Sequence, residues 1–394
     1  MTDRPQPHPP RRSRLTRNVV ALGCVSLLTD ASSDMIWPLL PVFLVEHLHG
    51  SVALVGWIEG IAGSLASFVR YLSGRSSDRL AGRKAIVVAG YSVSSLVRPL
   101  LALASAPWHA FAVRFADRIG KGLREAPRDA LLAAGTAPEN RAFAFGFHRA
   151  LDNLGAVLGP MLATLLLLFR PGDLRFVFAM AAIPGALAVL ALLAFVRDAR
   201  LPDTAPATPT ASPHLQPGLR AYLVVVGLFT LANSSDLFLV AHARRLGLPL
   251  AWVPAAWASL SLLRALSTTP GGHLADRIGR VRSLSIGWLL YAAAYLLYGT
   301  ARGPRQLVAA TFVYGAYYGL TEGAERALVA SLAPAHSLGR AYGAFALVTG
   351  LAAVPASVLF GQLYAFGDGR SAFFVSAALS ACAAAGVRFV ATPR

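Results

Sequence analysis

The sequence predicts an all-α polytopic membrane protein, with twelve transmembrane helices in two pseudo-symmetric six-helix bundles. Three observations predict it. The 394-residue chain is 55% apolar and only 14% charged, and its mean hydropathy of +0.55 is far above that of a soluble domain. Apolar runs of about 20 residues, long enough to cross hydrocarbon, recur along the whole chain. The second half repeats landmarks of the first at a spacing of roughly two hundred residues, the sign of two related halves.

In order along the chain, residues 1–17 read as a disordered, Pro- and Arg-rich cytoplasmic tail. Its basic flank suits a signal peptide, but the apolar run behind it lacks a small-residue cleavage site and is read as an uncleaved first span. Five arginines precede that run and none lies in EHLHGS after it. The positive-inside rule therefore puts the N-terminus in the cytoplasm, with both termini on that side of the cell (inner) membrane. Spans follow at 18–45, 52–73 and 85–106, with the basic turn GRSSDRLAGRK between the second and third. Further spans are expected at 142–169 and 176–196. The segment 198–218 is rich in Pro, Thr and Ala and reads as a cytoplasmic linker. Six more spans follow at 219–241, 251–272, 284–300, 307–332, 341–364 and 372–390. The expected division is tail 1–17, bundle 18–197, linker 198–218 and bundle 219–394.

The stretch RFADRIGKGLREAPRD, residues 114–129, is too charged to register as a span. The repeat decides its state. SSDM at 32–35 is echoed by SSDL at 234–237, and the turn bearing Gly74, Asp78, Arg79, Gly82 and Arg83 is echoed by Gly272, Asp276, Arg277, Gly279 and Arg280. The same offset lays 114–129 on TFVYGAYYGLTEGAER, which is apolar enough to span. The charged stretch is therefore expected to be helix four, within 108–134.

With two six-helix halves, a central linker and the turn motif in duplicate, the sequence resembles the major facilitator superfamily over nearly its whole length. The resemblance implies the major-facilitator fold, and a turn that latches the halves together. The turn pattern Gly-x-Leu-x-Asp-Arg-x-Gly-Arg-Arg is met here with Ser76 for Leu and one extra residue before Gly82. A second pattern lies in helix five: Gly146, Gly155, Gly159 and Pro160 match the superfamily's antiporter spacing, without its trailing Gly-Gly. It implies export rather than uptake, with close helix approach at the glycines and a kink at the Gly-Pro pair. The helix-four arginine that the superfamily implicates in proton transfer falls on Arg114, where Asp117 and Arg118 replace the following Gln-Gly. Helices one, four, seven and ten are implied to line the central cavity.

Asp30 and Asp34 lie one helical turn apart, on one face of helix one near mid-span. Carboxylates there must bind protons, face water or pair with cations. Helix four offers Arg118, Lys121 and Arg124, with Arg128 beyond. Asp30, Asp34 and Glu322 are the expected proton-coupling groups. Arg118, Lys121, Arg124, Asp236, Tyr314, Tyr317 and Tyr318 are the expected substrate contacts, and the turn and helix-five residues are expected to act in conformational change. A permanent ion-pair network between helices one and four is the competing reading of the same charges. Glu59, Arg70, Arg98 and Arg264 are single intramembrane charges with no partner legible in the sequence.

The expected function is proton-coupled efflux of a small organic solute by alternating access, with a proton gradient in place of any cofactor. Alternatives are uptake of an organic anion with protons and a non-transporting receptor. The expected partners are that solute, protons and the lipid bilayer, with the chain a monomer. The net charge of +17 sits mostly between apolar runs, as topology requires, and does not indicate nucleic-acid binding. Cys24 and Cys382 lie within apolar runs and support neither a disulfide framework nor a metal site. No His-Glu-x-x-His, Gly-x-Ser-x-Gly or nucleotide-binding loop occurs, so an enzyme is not expected.

Overall fold

Each apolar run folds as a helix because a membrane leaves backbone N–H and C=O groups no other partner. A computed structural model describes residues 16–77, 83–134, 136, 141–198, 215–333 and 338–390. Among the described residues twelve long helices follow one another: α1 (Arg17–His47), α3 (Lys84–Leu103), α6 (Leu174–Phe195) and α7 (Pro217–Arg245), each with internal breaks, and α2 (Val52–Ser77), α4 (Pro107–Ala134) and α5 (Arg141–Phe169). The second half continues with α8 (Val253–Ile278), α9 (Arg280–Thr300), α10 (Pro304–Ser331), α11 (Leu338–Ala365) and α12 (Arg370–Gly386).

Ten of the twelve are long and apolar enough to cross a membrane by composition alone. The other two are α4 and its repeat partner α10. The charged stretch is thus helical from end to end, with Pro127 inside it.

Four spans expected to be continuous are broken, and the breaks in α1 and α7 bear on the site. In α1 the α-helix stops at Ile36, and Pro38 and Pro41 follow in 3₁₀ and α turns before a π turn at Phe43–His47. Proline lacks the N–H that the ladder needs. The α7 break falls on the second copy of the SSD motif: the helix ends at Ala232 and restarts at Leu237. There Ser235 Oγ accepts from Leu237 N–H, the kind of local bond that competes with a helix. Asp236 sits at the restart.

Small residues set the closest packings. A Cβ on Gly155 or Gly159 would overlap the carbonyl oxygens of Leu27 or Ala31, so α5 lies directly on α1. Gly146, the first glycine of that pattern, faces open space. Between the halves, α2 packs on α11, with Gly56 against the carbonyl of Ser357 and Ser64 Oγ donating to Gly350 O at 2.7 Å. At the face opposite the chain ends, Arg244 at the end of α7 makes a two-pronged pair with Glu46 at the end of α1, at 2.7 and 3.1 Å.

Candidate functional site

The site grows from which way α4 turns its charges. Consecutive helical residues point about 100° apart, and residues seven apart nearly coincide. Asp117 and Arg124 therefore share one direction, and Arg118 and Glu125 another.

The first direction meets α3. Arg98 Nε donates to Asp117 Oδ1 at 2.8 Å, with both side chains no more than 2% exposed, and Arg98 Nη1 reaches Thr29 O on α1 at 3.0 Å. Arg124 is 4% exposed. Its Nη1 donates to Ser94 Oγ at 2.9 Å, and its guanidinium lies over the Tyr91 ring, 4.5 Å from the centroid. Arg124 was expected to face substrate, and the structure packs it away inside the first half. Arg114 forks onto Glu59 of α2 at 2.6 and 2.8 Å beneath the Trp37 ring. With that partner it is a link between α4 and α2.

Arg118 and Lys121 are left toward the centre. Among the described residues Arg118 has no ion pair and no hydrogen bond, and its Nε is buried without a partner. Lys121 is 41% exposed although it lies mid-helix, and among the described residues its one ion-pair partner within 4 Å is Glu125, at 3.8 Å. Facing them on α1 are Asp30 and Asp34, both half-buried. Lys121, Arg98, Arg114 and Arg118 are the cations that act on Asp34, whereas Asp30 feels Asp152, Asp34, Lys121 and Arg124. Among the described residues neither carboxylate has an ion pair within 4 Å or a hydrogen bond. The structure thus brings the expected groups of α1 and α4 together but does not lock them to one another.

The second half is built differently at the equivalent place. Asp236 pairs with Arg264 of α8 at 2.6 Å and accepts from the hydroxyls of Tyr314 at 2.5 Å and Tyr318 at 3.2 Å. Arg264 lies 3.6 Å from the Tyr318 ring centroid. Tyr314 and Tyr317 are buried and packed against Tyr291, Tyr295 and Phe229, so of the three α10 tyrosines only Tyr318 is partly open. Glu322 accepts from Arg149 of α5 at 3.4 Å, a contact between the halves.

All four charges left unexplained by the sequence are halves of ion pairs: Glu59 with Arg114, Arg98 with Asp117, Arg264 with Asp236, and Arg70 with Glu125 at 3.0 Å. Of the turn residues, Asp78, Arg79 and Gly82 lie outside the described residues, and so do the side-chain surroundings of Gly74. Arg83 N–H donates to Asp198 Oδ1 at 3.2 Å. In the second copy Gly272 faces open space and Asp276 and Arg277 are exposed. Pro160 sits buried in α5 beside Gly159.

Residues 22–263 and 238–394 match the major facilitator superfamily. The chain belongs to that superfamily. An uncharacterized MFS-type transporter of Methanocaldococcus jannaschii is 31% identical over 357 residues, covering 89% of each chain. The multidrug resistance protein MdtH of Photorhabdus laumondii is 29% identical over 152 residues, covering 39% of this chain and 37% of its own. Among solved structures, a bacterial homologue of the human lysosomal transporter Spinster, inward-facing and occupied, superposes with a TM-score of 0.78 at 15% identity. That match covers 94% of this chain and 96% of the other. The protein is accordingly a multi-pass membrane transporter of the secondary type and not an enzyme.

Proposed function

We propose that this transporter is a proton-coupled exporter of a small organic solute, working by alternating access around the α1/α4 and α7/α10 cluster. The observation that carries the reading is that, among the described residues, Asp30 and Asp34 stand unpaired beside Arg118 and Lys121, while the charges around them are paired. Two unpartnered carboxylates at membrane depth are where protons are expected to bind. A solute held by those carboxylates would compete with protons, which is the linkage that antiport requires. The helix-five glycine pattern and the name of the partial MdtH relative support the outward direction. Contact between the halves at Glu46 and Arg244 supports alternating access, since one state must be closed at that face.

The test uses inside-out vesicles with an acid interior and a panel of fluorescent organic dyes. Wild type is expected to accumulate at least one dye, and Asp30→Asn and Asp34→Asn are expected to abolish the dependence on the pH gradient. Unchanged pH dependence in both variants would sink the proton role.

Uptake of an organic anion with protons is the second reading, and the unpartnered guanidinium of Arg118 favours it. Protonating Asp34 would then uncover the Arg118 and Lys121 charges, so that anion affinity rises as pH falls. The sign of that dependence separates the two readings: affinity for an exported solute that competes with protons falls instead.

A further inference from the structure

We propose a binding site for an anionic phospholipid headgroup on the face that carries the chain ends, between the start of α9 and the end of α12. Helix α9 begins at Arg280 with no side chain capping its first N–H groups. Those free donors, and the positive end of the helix dipole, attract an anion. Arg280 and Arg282 extend from this first turn, and both are exposed. A cavity of about 570 Å³ beside it is lined by Val281, Arg282, Ser285, Ile286 and Arg388.

Arg388, just past the end of α12, is aimed rather than loose. Its Nε donates to Ser285 Oγ at 2.9 Å, and Ser285, itself buried, donates in turn to Ala384 O at 2.9 Å. This pins one edge of the guanidinium and leaves its terminal nitrogens for a ligand oxygen, a geometry suited to phosphate. Among the described residues neither Arg282 nor Arg388 has an acidic partner within 4 Å. Asp276 is the nearby carboxylate. It lines the adjoining cavity with Arg280, Arg282 and Ser331, and forms no ion pair with either arginine.

The pseudo-symmetric junction in the first half provides an internal comparison. There, between the start of α3 and the end of α6, Lys84 Nζ donates to Leu193 O at 3.0 Å, and Asp198 accepts from Arg83 N–H. That junction carries its own carboxylate, whereas among the described residues the charged side chains lining the α9/α12 cavity are both basic, Arg282 and Arg388. The location selects a lipid over a soluble anion. Ile286 and Phe389 flank the arginines and are 42% and 87% exposed, so apolar surface continues from the charged cavity along the membrane-facing side, where acyl chains lie. Basic pockets between helix ends are the expected sites for anionic headgroups.

The test measures thermal unfolding of the full chain in phosphatidylcholine nanodiscs, with and without a minority of phosphatidylglycerol, and with inorganic phosphate instead. Native mass spectrometry counts retained phosphatidylglycerol in parallel. Phosphatidylglycerol is expected to raise the melting temperature of wild type, since a ligand of the folded state stabilises it. Each arginine near the surface contributes about fivefold in lipid affinity, so Arg282→Gln/Arg388→Gln should lose about 25-fold. Arg302→Gln, near the other end of α9, should lose nothing. Ser285→Ala keeps both charges and frees Arg388, and should fall between. An equal phosphatidylglycerol effect in wild type and the double variant, or an equal effect of inorganic phosphate, overturns the assignment.

Discussion

Asp117→Asn removes one member of the least exposed ion pair among the described residues and leaves Arg98 charged in the space between α1, α3 and α4. The pair is short, 2.8 Å, with side chains 1% and 2% exposed. At an effective dielectric near 20, two unit charges at that separation attract by about 6 kcal/mol, against a desolvation penalty of several kcal/mol for each ion. The net contribution of the intact pair is therefore small, but a lone Arg98 would keep its penalty without its partner. It would also still face Arg124, which acts on it unfavourably. The expected destabilisation is about 3–5 kcal/mol, the usual result of breaking a buried pair from one side. Removing both charges with Asp117→Asn/Arg98→Gln should recover most of that loss. Thermal unfolding of purified protein in a fixed detergent, for wild type and the three variants, reads the cycle directly. A double variant no more stable than Asp117→Asn, or an Asp117→Asn protein that melts with wild type, would refute the argument that this pair is a mutual neutralisation.

Other outcomes follow from the same contacts. Gly159→Val should push α5 off α1, because even its Cβ would overlap the backbone oxygen of Ala31, with a stability loss of about 1–3 kcal/mol or more; Gly146→Val, in open space, should melt like wild type. Arg118→Gln should alter binding of any dye found to be transported, weakening an anionic dye and tightening a cationic one held by Asp30 and Asp34, while leaving melting nearly unchanged; Arg124→Gln should lower melting and leave binding unchanged, and if both behave alike, the division of α4 into two directions is wrong. Glu46→Arg or Arg244→Glu alone should open the face opposite the chain ends, raising thiol-reagent labelling of a cysteine placed at Ala243, and the charge-swapped double variant should restore protection. Labelling that ignores the swap would show that the pair does not hold that face closed.

Twelve helices and their duplication were legible in the sequence. Backbone in hydrocarbon has to be helical, and apolar runs of spanning length mark where it crosses. Hydropathy failed at 114–129 and also at its partner α10, which was expected to be apolar enough to span and is not; the duplicated motifs and the topology supplied the answer, because two related halves must cross equally often. That Asp30 and Asp34 share one face of α1 followed from helical spacing, and that this face meets α4 was implied by the superfamily resemblance. What the sequence could not supply is the rotation of each helix about its axis, since that depends on which surfaces the neighbours present. About 100° of rotation separates Asp117, sealed against Arg98, from Arg118, left toward the centre. The same lack of spatial partners made Glu59, Arg70, Arg98 and Arg264 look isolated, although each meets its counter-charge on another helix 19 to 55 residues away. Local composition, period and the internal repeat together fix which residues cross the membrane. Only tertiary packing decides which charges neutralise one another and which remain free to bind.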